Sequence, residues 1–152
     1  MKQVVAFLFI KKNKVMLQYI KNDIDKVDSP SVPRGNILAE DKDLLFTSEM
    51  EHTLHRLVYI FSKGTLIPLQ YELVRVLNDN DRDELIYLYF IYSWDGSEPS
   101  VFSLDKTHIG RLRFVQIDDA LSGVTGETDK KILTTAKETI RIRSVLHSPL
   151  FH

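Results

Sequence analysis

From Gln3 to Ile10 the chain is apolar and rich in Val, Phe and Ile; Lys11-Lys12-Asn13-Lys14 interrupts it before a second apolar run, Val15 to Ile20. Two such runs around a short polar stretch predict a hairpin. Lys21 to Ser31 is mostly polar, and Ser29-Pro30-Ser31-Val32-Pro33 predicts a loop feeding a short extended segment, because each proline biases its predecessor away from helix. That loop delivers the chain to Pro33-Arg34-Gly35. From about Lys42 to Lys63 the period changes: Phe46, Met50, Leu54, Leu57 and Phe61 recur at intervals of three and four, which predicts one long amphipathic helix with Gly64 as its stop. Leu66 to Leu77 and Glu84 to Trp94 then read as strands joined by Asn78-Asp79-Asn80-Asp81-Arg82-Asp83, a dense turn signal and a second hairpin. Arg111 to Ile117 reads as another strand. Asp129 to Val145 reads as a closing helix carrying Ile132, Leu133, Ala136, Ile140 and Ile142.

The order of strands, helix, strands, helix, without a repeat or second linker, predicts a single α+β domain over residues 1–152 with helices packed on a mixed β-sheet. A chain of 152 residues buries roughly two-thirds of its unfolded surface on folding, enough for a core without metal or disulfide staples. Twenty Lys and Arg against 21 Asp and Glu leave a net charge of -1, so no global field favours a nucleic-acid polymer or an anionic membrane. The run Val4 to Ile10 is too short to span a bilayer. The absence of cysteine removes thiolate chemistry and Cys-ligated zinc, and a cytoplasmic location is the expectation. The turn lysines are read as a solvated turn in preference to a basic patch. The acidic turn at 78–83 lacks the central Gly and twelfth-position Glu of an EF-hand loop and is likewise read as solvated.

Pro33-Arg34-Gly35-Asn36-Ile37, then Glu40, then a helix containing Glu49, resembles the box of the Nudix (MutT-like) hydrolases, whose usual form is Gx5Ex7REUxEExGU with U a bulky aliphatic. Anchoring on Glu40 sets Ser48-Glu49-Met50-Glu51-His52-Thr53-Leu54-His55 where the family writes REUxEExG. The resemblance extends in element order from about Gln3 to Ile142, through Trp94-Asp95-Gly96-Ser97-Glu98-Pro99, Leu112-Arg113-Phe114-Val115 and Asp118-Asp119-Ala120-Leu121. It implies a Nudix-like α/β/α sandwich, a nucleotide-type small molecule as ligand, and hydrolysis of nucleoside-diphosphate-linked substrates with Mg2+ or Mn2+. Within it Glu49 is the metal ligand, with His52 a second donor. Glu40 assists from the loop, and Gly35 with Arg34 contributes to cofactor binding.

The box is degenerate. The family's three helical carboxylates become Glu49, His52 and Thr53, which keep the shared face of positions i, i+3 and i+4 but lose two of three hard anionic ligands. Ser48 replaces the Arg that pairs with the loop Glu, His55 replaces the terminal Gly, and four residues instead of five separate Gly35 from Glu40. Helical rotation sets Arg56 between Glu49 and His52, which suggests an Arg56–Glu49 pair. The implied activity is therefore weak, altered or lost, and a non-catalytic nucleotide-sensing or protein-interaction module is the alternative.

Several bland readings stand beside these. Glu49 competes as a surface carboxylate, and His52 with His55 as plain surface residues. Glu51 and His55 suit an ordinary i, i+4 surface pair. Gly35 is read as a phosphate-binding backbone donor, as a turn residue needing positive φ, or as both. Glu98, Asp105 and Glu127 lie in or beside late loops where Nudix enzymes often keep a base, yet no spacing selects among them. Tyr87, Tyr89, Phe90 and Tyr92 are read first as core, and second as stacking partners for a base.

Overall fold

The structure is a computed structural model and describes residues 1–22, 29–42, 48–97, 102–103 and 108–146. Its centre is β1 (Lys2–Lys11), whose residues from Val4 to Ile10 are all buried. Val4, Ala6, Leu8 and Ile10 enter one core cluster and Val5, Phe7 and Phe9 the other, so the strand is apolar on both faces because both are covered. The first cluster packs under α2 (Ile117–Gly123) and α3 (Glu127–Leu146) through Ala120, Ile132, Leu133, Ala136 and Ile140. The second packs under α1 (Glu49–Ser62) through Leu54, Leu57, Val58 and Phe61. The result is the expected α+β sandwich, a mixed sheet between helices.

The other strands are β2 (Lys14–Asn22), β3 (Ser29–Ser31), β4 (Arg34–Asn36), β5 (Leu66–Asp79), β6 (Glu84–Gly96), β7 (Phe102–Ser103) and β8 (His108–Gln116). Sheet order is β5-β6-β1-β2-β8-β7, with β3 added to β2 and β4 to β1. Only β1 and β6 run parallel, in register from Lys2↔Glu84 to Phe9↔Ile91. The first hairpin is present but opens at once: β1 and β2 pair only at Ile10↔Val15 and Lys11↔Lys14. Beyond that point β4 takes the β1 edge at Val4–Ala6, while β2 turns to β3 and β8.

The start of the long helix and the end of β8 differ from the sequence expectation, while the helix stop at Gly64 is as expected. The long helix begins at Glu49, not near Lys42, because the Ser48 hydroxyl accepts the Glu51 N–H at 3.1 Å and caps it; Phe46 lies outside the described residues. The helix ends with Lys63 (φ 55°) and Gly64 (φ 76°) in the left-handed region, and Gly64 N–H reaches the Tyr59 carbonyl at 2.9 Å. Ile117 does not end β8 but starts α2, whose first turn carries Asp118 and Asp119. The turn at 78–83 is not wholly solvated. Asp79 is buried and accepts from Arg82 N–H (3.2 Å) and the Thr128 hydroxyl (2.9 Å), tying the turn to the start of α3.

Candidate functional site

At the N-terminal end of α1 the chain converges on a residue that periodicity passed over. Asp41 closes a short 3-10 turn, Ala39–Lys42, and is 1% exposed. Its Oδ2 accepts from Leu38 N–H (2.9 Å), the Thr53 hydroxyl (2.8 Å) and Arg56 Nη2 (3.1 Å). Its Oδ1 faces His52 Nδ1 at 2.6 Å and accepts from Arg56 Nε at 3.2 Å. A buried carboxylate is tolerated only when charge and lone pairs are met, and here they are. Burial pushes the Asp41 carboxyl upward, but the hydrogen bonds from Arg56, the Leu38 N–H, Thr53 and His52 outweigh it and hold it well below the usual carboxylate range. An ionised Asp41 can only accept, so His52 presents Nδ1–H to it.

The helix supplies this cluster by spacing. His52, Thr53 and Arg56 fall within one turn of each other, so all three meet the 3-10 turn packed against that face. Arg56 also donates from Nη2 to the Asn36 carbonyl at 2.7 Å, joining β4 to the helix. The Thr53 hydroxyl lies 2.8 Å from the Glu49 carbonyl as well; the anion is the stronger acceptor for its one proton.

The structure brings together only part of the expected set. Glu40 is exposed on the 3-10 turn, and the inward carboxylate is its neighbour Asp41. Asp41 restores the five-residue interval after Gly35 that Glu40 breaks. Glu49 is half-exposed on the first helical turn and does not pair with Arg56, which Asp41 and Asn36 claim. Gly35 needs no positive φ: it sits in β4 opposite Val5, and a Cβ there would stand 2.4 Å from Leu57 Cδ2. It is a close-approach glycine under α1.

Arg34 pairs with Ala6 and so belongs to the other face of the sheet. Its charge acts there on the buried carboxylates Asp79 and Asp129. Burial pushes Asp129 up and the Arg34 charge opposes it, while Arg34 Nη1 and Asp129 Oδ1 are buried without a hydrogen-bond partner among the described residues. Glu127 is exposed at the start of α3, away from Glu49, and Glu98 and Asp105 lie outside the described residues. His55 Nε2 lies 3.0 Å from the Tyr71 hydroxyl, and burial lowers its pKa while the charge of Glu51, one turn back, opposes that shift. Tyr89 and Phe90 are core on opposite faces, with Tyr87 and Tyr92 packed at their margins.

The donor set does not suit magnesium, which takes hard oxygen ligands. The three box positions offer one carboxylate, an imidazole and a hydroxyl, and the last two already serve Asp41. Among the described residues no three His, Cys, Asp or Glu side chains stand together so as to hold a metal ion.

No protein-family profile matches the chain, and no curated protein matches its sequence. Solved structures do. The MutT protein of Bacillus halodurans superposes with a TM-score of 0.63 at 15% identity, over 97% of this chain and 84% of that one. A MutT Nudix hydrolase from Burkholderia pseudomallei gives 0.64 at 14%, over 88% and 95%. An ADP compounds hydrolase gives 0.65 at 8%, over 93% and 74%. The fold is that of the Nudix hydrolases. In this chain position 48 holds Ser48, which caps the helix, and the cation on the buried turn carboxylate Asp41 is Arg56, about two helical turns along.

Proposed function

We propose that this Nudix-fold protein has weak or lost pyrophosphohydrolase activity toward nucleoside-diphosphate-linked substrates, and that its box helix now serves to lock the fold. The observation that carries the reading is that His52 and Thr53, at the positions of two helical carboxylates in the box, both bond the buried Asp41. A carboxylate at either position would confront that anion instead of a metal ion. The same observation favours the second reading, a non-catalytic nucleotide-sensing or protein-interaction module, since binding a nucleotide-type small molecule needs no helical magnesium cluster. A cytoplasmic setting goes with both; the cysteine-free composition is compatible with it, and no described helix is long and apolar enough to cross a membrane.

The test is hydrolysis of a panel of nucleoside triphosphates, dinucleoside polyphosphates and nucleotide sugars with Mg2+ or Mn2+, run beside Glu49→Gln. The expected outcome is turnover near the limit of detection and the same in both proteins. Robust turnover lost in Glu49→Gln would restore Glu49, with Glu40 assisting, to a catalytic role and overturn the reading. The module predicts thermal stabilisation by a nucleotide without turnover and insensitive to chelator.

A further inference from the structure

The lysines of the β1–β2 turn, read from sequence as merely solvated, border a cavity of about 650 Å³. Lys11, Lys12 and Asn13 form one wall, the β6 segment from Tyr92 to Trp94 another, and Arg143 near the end of α3 closes the third, while the Trp94 ring itself packs on Phe9 and Phe114 in the cluster under α1. Among the described residues no carboxylate lines it, and Ile10 and Ile140 supply an apolar floor. The volume lies within the range of small-molecule sites, which combine apolar walls with a few placed polar groups.

The backbone of the turn and the Arg143 guanidinium are held in place. Ile117 N–H donates to the Asn13 carbonyl at 2.8 Å, pinning the turn to the start of α2, and Lys12 itself takes a left-handed backbone, φ 56°. The Arg143 guanidinium lies 4.0 Å over the Tyr92 ring, and the Tyr92 hydroxyl donates to Glu72 at 2.6 Å. Other cations of the same region are neutralised: Lys137 pairs with Asp118 and Arg141 with Glu138. Lys11, Lys12 and Arg143 make no ion pair with any described residue. Lys11, Lys12 and Arg143 give this concave site a positive balance against the one carboxylate described beside it, Glu72 on the Tyr92 hydroxyl, and a bound anion is favoured there.

We propose that this cavity binds a small phosphate-bearing molecule, its anionic head on Lys11, Lys12 and Arg143 and an apolar body against Ile10 and Ile140. The site uses none of the box-helix residues. It starts at Ile10, whereas β4 and the Asp41 cluster join β1 at Val4–Ala6, roughly 15–20 Å back along the strand. It therefore requires no metal and goes beyond the reading of the box.

Binding is read by isothermal titration calorimetry and by thermal shift. The full chain is titrated with ADP and with pyrophosphate in the presence of chelator. Expected is a saturable heat of binding and a thermal shift with ADP, weaker with pyrophosphate, and weakened by added salt. Lys12→Asn, which keeps a residue tolerant of the left-handed backbone, and Arg143→Gln each weaken ADP binding at least tenfold without changing the unligated melting temperature, whereas Glu49→Gln binds as wild type. Silence with both probes at millimolar concentration overturns the site, as does binding that survives both charge removals. Equal affinity for ADP and pyrophosphate overturns the role of the apolar floor. Loss of hydrolysis in the panel assay leaves these outcomes unaffected, so the two proposals fail separately.

Discussion

Arg56 closes a two-point fork on Asp41, Nε to Oδ1 at 3.2 Å and Nη2 to Oδ2 at 3.1 Å, across 15 residues of chain. Because the carboxylate is buried, removing the cation strands a charge instead of merely losing a contact. Arg56→Met is expected to destabilise the protein by about 3 kcal/mol, read from urea unfolding. Asp41→Asn combined with Arg56→Met should cost clearly less than the sum of the two single changes, since each alone leaves a partner uncompensated. Additive effects, or an Arg56→Met protein as stable as wild type, would remove the fork from the account.

The same carboxylate predicts an acid limb. The folded-state pKa of Asp41 is depressed, so its stabilisation is present above the unfolded value, about 4, and drains away as pH falls below that toward the folded value. Asp129 works in the opposite sense, because burial raises its folded pKa; its cost is felt at neutral pH and eases as acid protonates it. Urea midpoints measured from pH 7 down to pH 3 should fall in wild type and fall less steeply in Asp41→Asn. Parallel curves for the two proteins would assign the acid loss to other groups.

The elements were legible where burial sets a period. Leu54, Leu57 and Phe61 announced α1, and Val4 to Ile10 announced a strand, because their partners are whole layers and any apolar side chain of the right spacing serves. The site was not legible in the same way. Its centre is a short carboxylate in a polar stretch, indistinguishable in composition from the exposed Glu40 beside it until the 3-10 turn rotates one inward and the other out. Arg56 was assigned to Glu49 by helical rotation alone, since a rotation places residues on one helix and says nothing of a turn packed against it. Arg34 and Gly35 were grouped as neighbours in a loop; as strand residues they face opposite layers. The one available clue was the five-residue interval from Gly35, which fits Asp41 and not Glu40.

Gly35 provides a packing test independent of any charge. A methyl group there would meet Leu57 Cδ2 at 2.4 Å, and Leu57 is buried under the sheet with little room to withdraw. Gly35→Ala should therefore cost about 1–3 kcal/mol. Leu57→Ala removes the obstructing methyls, at its own cavity cost, and in that background Gly35→Ala should be close to neutral. Urea unfolding of the four proteins gives the coupling directly. An uncoupled pair would mean that the strand shifts to accept the Cβ and that the glycine is not required for the close approach.

Restoring the box carboxylates one at a time distinguishes a lost metal site from a merely weakened one. In His52→Glu the new side chain meets Asp41 Oδ1, where His52 Nδ1 stands at 2.6 Å, so an acceptor faces an acceptor and two like charges share a buried edge. Thr53 is fully buried and its hydroxyl is one of the five donors to Asp41, so Thr53→Glu is the harsher change. Both are expected to lower the melting temperature, Thr53→Glu more, and neither to raise turnover with Mg2+ on the substrate panel. Adding Asp41→Asn should recover stability in the His52→Glu protein, because an amide can donate to the new carboxylate and the like-charge conflict is gone. If His52→Glu alone instead gained Mg2+-dependent turnover without loss of stability, Asp41 would have yielded its place to a metal ion, and the helix would be a dormant catalytic element instead of a structural lock.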